Sequence, residues 1–106
     1  MAIKKKAGDS IWIDVTGEAL TTVDETWANW EGSWAIVTAL GAVPTLSGTM
    51  TKGATIGSFQ IRIGATTMAA VDAGSYILVV QVENSTVDYV QEIAQEKLTI
   101  TAQGIV

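Results

Sequence analysis

The chain has 106 residues, 48% of them hydrophobic and 16% charged, with ten glycines, one proline, no cysteine and no histidine. That is the size of one domain, able to bury about 65% of the surface its unfolded form exposes, and the composition excludes intrinsic disorder. Without thiol or imidazole there is no Cys–His or Ser–His nucleophile pair and no zinc site of the usual kind, so neither an enzyme nor a cofactor is expected.

Formal net charge is −5, from eleven acids against six bases. Three of the bases are consecutive, Lys4, Lys5 and Lys6, and without them three bases face eleven acids, or −8. A body that acidic is repelled by phosphate backbones, so nucleic acid is not an expected partner. The lysine run reads as a basic N-terminal arm over residues 1–7, either solvated or docked on an acidic face of its own body or of a neighbour. Residues 8–106 read as a single domain. No apolar segment follows the lysines as a secretory signal requires. The longest apolar run, Ile77–Val80, is too short to cross a bilayer. Synthesis in the cytoplasm and no membrane contact are the expectations.

In chain order, residues 10–16 alternate. Ile11, Ile13 and Val15 share one face, while Trp12, Asp14 and Thr16 share the other, as in a half-buried strand. Residues 18–32 read as a loop or one helical turn, with Asp24 as a cap, running through Trp30 and ended by Gly32. Residues 33–39 alternate again, with Trp34 and Ile36 on one side. Pro44 marks a turn, and Leu46–Thr51 reads as a short strand containing a glycine. In residues 58–63, Phe59, Ile61 and Ile63 oppose Gln60 and Arg62. Residues 65–71, rich in Ala and Met, predict a helix of one or two turns. Residues 75–83 form the strongest strand, apolar on both faces as if covered on each side. Residues 87–95 fit either a helix or a strand. Lys97–Thr101 is plainly β, and the return leg of a hairpin is the preferred reading. About seven strands with glycine turns and no repeating helix predict an all-β antiparallel sandwich with one short connecting helix.

Three segments carry a resemblance to a known type: Lys6-Ala7-Gly8-Asp9-Ser10 opening the first strand, Asp72-Ala73-Gly74-Ser75-Tyr76 launching the central one, and Lys97-Leu98-Thr99-Ile100-Thr101 closing the last. In order and spacing the chain resembles the small immunoglobulin-like domain of tailed-phage virion proteins, and is similar to the N-terminal domain of the phage baseplate upper protein family. The resemblance implies an immunoglobulin-like sandwich without catalytic activity. It also implies a virion location, other virion proteins (a major capsid or tail/baseplate protein) as partners, and a capsid-decorating or tail/baseplate accessory role. Self-assembly into a homo-oligomer is expected with it.

Four tryptophans are many for this length, and three of them, Trp27, Trp30 and Trp34, cluster. Trp34 is expected in the core, on a strand. Trp27 and Trp30 are the candidate interface residues, together with Lys4, Lys5 and Lys6, because tryptophan is enriched among interface anchors. The alternative is a carbohydrate-binding module in which these loop tryptophans stack on sugar rings of a host glycan. The nearby carboxylates, Asp9, Asp14, Asp24, Glu25 and Glu31, read as solvated. They show neither a calcium-loop spacing nor a glycosidase cleft.

Overall fold

A computed structural model of the chain describes residues 2–6, 8–16 and 26–102. Among the described residues, eight strands form two sheets. In chain order they are β1 (Ala2–Lys6), β2 (Ile11–Thr16), β3 (Trp30–Val37), β4 (Leu46–Thr49), β5 (Thr51–Lys52), β6 (Ser58–Ile63), β7 (Gly74–Asn84) and β8 (Tyr89–Thr101). One helical turn, α1 (Ala65–Met68), joins β6 to β7, and a 3-10 turn at Trp27–Asn29 precedes β3. The first sheet runs β1-β8-β7-β3-β4 and the second β2-β6-β5.

Alternation decides which residues meet between the sheets. Ile11, Phe59, Ile61 and Ile63 from the small sheet are buried together with Trp34, Ile36, Leu78, Val80, Val82, Leu98 and Ile100 from the large one. Met68, on α1, is fully buried and plugs one end of this core. The pattern read in residues 10–16, 58–63 and 75–83 is therefore the pattern that packs.

The structure departs from the sequence reading at three places, and at a fourth, the tail, it decides for the preferred strand. First, residues 2–6 are not an arm. They form an edge strand parallel to β8, with Ile3 opposite Leu98 and Lys5 opposite Ile100, so the large sheet is mixed rather than wholly antiparallel. The alternation Ile-Lys-Lys hid this strand. Its inward residue Ile3 packs on the core while Lys4 and Lys6 stay exposed, and Gly8 at φ +85 turns the chain out of the strand. Asp9 closes that turn, accepting the Lys6 backbone N–H at 3.0 Å.

Second, β3 begins at Trp30, three residues earlier than the alternation indicated, and the helical turn before it is short and starts after Thr26. Asp24, the expected cap, lies outside the described residues. Third, the expected strand over Leu46–Thr51 is two strands in different sheets. The chain crosses between them at the buried Met50, whose N–H bonds to Gly32 O at 2.8 Å. Fourth, the ambiguous tail is strand from Tyr89 onward, after a turn over residues 85–88. Its mixed periodicity has a physical origin: the register with β7 shifts between Val80 and Gln81, so that Ala94 pairs with Val80 but Glu92 with Gln81. One extra residue, a β-bulge, offsets the alternation on either side of it.

Candidate interaction surfaces

The two loop tryptophans do not form a free platform. Trp30 is fully buried, with its ring edge-on to Tyr89 at 5.5 Å, because it opens β3 on the inward-facing register shared with Trp34 and Ile36. It is a core residue and not an interface residue. Trp27 is half-buried. Its Nε1 donates to Gly53 O at 2.8 Å, its ring meets Phe59 edge-on at 5.0 Å, and the Lys52 ammonium lies 5.2 Å over it. Trp27 therefore caps the core beside β5, with one side open.

The exposed tryptophan is Trp12, at 62% relative exposure. It stands on the outer face of β2, directly opposite Arg62 of β6 in the antiparallel register. The Arg62 guanidinium carbon lies 4.8 Å from the ring centroid, an arrangement worth about 0.5–1 kcal/mol at an exposed site. Arg62 Nε in turn donates to Gln60 Oε1, and Gln60 Nε2 donates to Asp14 Oδ1 at 3.0 Å. Register explains this chain of contacts, because Asp14 is the cross-strand partner of Gln60. The result is an aromatic plate braced on a rigid sheet and bordered by one cation, one amide and one carboxylate.

The sequence holds both halves of this arrangement without joining them. A tryptophan on the polar face of an alternating strand was the signal in residues 10–16, and Arg62 sat on the polar face of residues 58–63. Only the pairing of β2 with β6 brings them together. Lys4 and Lys6 are exposed on the outer face of the large sheet beside Lys97, whereas Lys5 is half-buried on the inner side. The lysines and the tryptophan plate thus lie on different sheets. Among the described residues no group of three or more His, Cys, Asp or Glu comes together to hold a metal ion.

No family model matches the chain, and no curated protein is similar to it in sequence. Among solved structures, CopC from Methylosinus trichosporium OB3b is similar in fold, with a TM-score of 0.53 at 13% identity, over 100% of this chain and 90% of that one. The fold is an immunoglobulin-like β-sandwich. Two further features accord with it. Trp34 is a buried tryptophan on β3, an interior strand of the large sheet, and Tyr76, at the start of β7, donates its hydroxyl to Asp72 O at 2.7 Å, four residues upstream. Immunoglobulin-like domains use a buried strand tryptophan and such a tyrosine corner in these roles.

Proposed function

We propose that this immunoglobulin-like domain is a non-enzymatic structural subunit of a phage or prophage virion, working through surface contacts as a capsid-decorating or tail/baseplate accessory protein. The observation that carries the reading is the exposed Trp12 plate on a rigid sheet. Large aromatic and arginine side chains held in place before contact are the residues that anchor protein interfaces. The low charge content favours burial of surface against other proteins. The three resemblance segments lie at the entry to β2, the entry to β7 and the end of β8. Its partners in this reading are other virion proteins and further copies of itself.

Density-gradient banding of particles released from the producing cells tests the proposal. The chain should band with the particles at a fixed copy number, and a chain that stays at the top of the gradient overturns the reading. One observation favours the glycan-binding alternative, namely the flat Trp12 face with hydrogen-bonding neighbours. Titration of intrinsic fluorescence with host surface polysaccharide separates the two. A saturable shift that Trp12→Ala abolishes would favour the glycan.

A further inference from the structure

The strongest strand, β7, was expected to be covered on both faces. Its inner face is covered, but on the outer face Ile77 and Val79 are only partly buried, and Val37, opposite Ile77, is buried. Cross-strand pairing extends that face into rows. Ala35 and Gln95 flank Val79, Ser33 and Glu92 flank Gln81, and Lys97 lies opposite Ile77. The centre of the outer face is thus small and uncharged.

Its two ends carry opposite charge. Glu31 and Glu83 pair across β3 and β7 at one end, with Glu92 in the adjoining row. Lys97, Lys4 and Lys6 lie toward the other end, on β8 and β1. Glu83 and the row of Lys97 are six residues apart along β7, about 20 Å at strand rise. That exceeds the Debye length of about 8 Å at physiological salt, so the two ends do not neutralise one another within one chain.

We propose that the outer face of the five-stranded sheet binds a second copy of this chain, face to face about a two-fold axis. The inference rests on the reading of the protein as an assembly subunit and supplies its self-contact. An axis lying across the strands near the row of Ala35, Val79 and Gln95 reverses the strand direction of the second copy while keeping β3, β7 and β8 over their counterparts. Lys97 of one copy then faces Glu92 of the other, twice by symmetry. The small central side chains let the sheets approach to the roughly 10 Å of sheet-on-sheet packing. β1 covers only the rows of Lys97–Thr101 and β4 only those of Ser33–Ile36, so each row is at most four strands wide and the face measures about 14 by 27 Å. That is on the order of 400 Å² in projection, below the ~800 Å² per partner of a standard interface, as suits a weak, salt-sensitive dimer.

Sedimentation velocity on the full chain, over a range of concentration at low and high salt, tests this directly. A dimer should form, weakening in high salt. Lys97→Glu and Glu92→Lys should each weaken it about tenfold, because each turns two attractive contacts into repulsive ones. The double variant should restore it, and Trp12→Ala, on the opposite sheet, should leave it unchanged. Circular dichroism checks that each variant is folded. A monomer throughout overturns the proposal, as does a dimer that ignores the charge exchange or that Trp12→Ala disrupts. Gradient banding with particles reads the assembly role separately, since a monomeric chain that still bands with particles refutes only the self-contact.

Discussion

Gly48, in β4, is the cross-strand partner of Trp34, and the Trp34 ring lies against its backbone. A methyl group added at Gly48 would stand 2.7 Å from Cζ2 of that ring, 3.0 Å from Cε2 and 3.2 Å from Nε1. Ordinary carbon–carbon contact is about 3.5–4.0 Å, so the ring must retreat by about 1 Å. It has nowhere to go, because Trp34 is only 6% exposed and belongs to the closed core between the sheets. Forced overpacking of this kind costs about 1–3 kcal/mol. Replacing a strand glycine by alanine otherwise gains about 0.5–1 kcal/mol. The net expectation for Gly48→Ala is a loss of about 1–2 kcal/mol. At about 4–8 °C per kcal/mol for a domain near this size, Tm should fall by about 5–15 °C. Urea unfolding followed by far-UV circular dichroism measures the loss. Gly64→Ala is the control, since its methyl group meets nothing within 4 Å and its φ is −69°. In a Trp34→Phe background, with a smaller ring, the cost of Gly48→Ala should largely disappear. Equal or greater stability of Gly48→Ala with Trp34 in place would refute the packing argument.

Three further substitutions test how other aromatic residues are used. Tyr76→Phe deletes the hydroxyl that bonds to Asp72 O and should cost about 1 kcal/mol in urea unfolding, with no change in the dichroism spectrum. Trp30→Ala empties a fully buried site and should cost about 3–5 kcal/mol. Trp12→Ala, losing chiefly the contact with Arg62, should cost no more than about 1 kcal/mol. A reversed order in the same unfolding assay would show that the two tryptophans have exchanged roles.

The core was legible because it depends on period. Ile11, Phe59, Ile61, Ile63, Leu78 and Val80 all lie inward as their alternation required, and Trp34 fills the interior as expected. What escaped the sequence were features that depend on pairing. Strand β1 offers only Ile3 as an apolar inward residue ahead of three lysines. It is a strand because β8 supplies a partner, and local propensity does not reveal that. The crossing at Met50 and the bulge near Ile93 are likewise properties of two strands together. The same limit governs the candidate site. Clustering in sequence drew attention to Trp27 and Trp30, but strand register buries Trp30 and turns Trp27 to Gly53 and Phe59. Trp12, isolated in sequence, gains its setting only when β6 places Arg62 opposite it.

On the proposed function, this sandwich works by presenting a prepared surface to other virion proteins. Oxidative footprinting of Trp12, in the free chain and in density-banded particles, tests it most directly. Trp12 should oxidise readily in the free chain, where 62% of the residue is exposed, and should be strongly protected in the particle. Equal oxidation in both would contradict it.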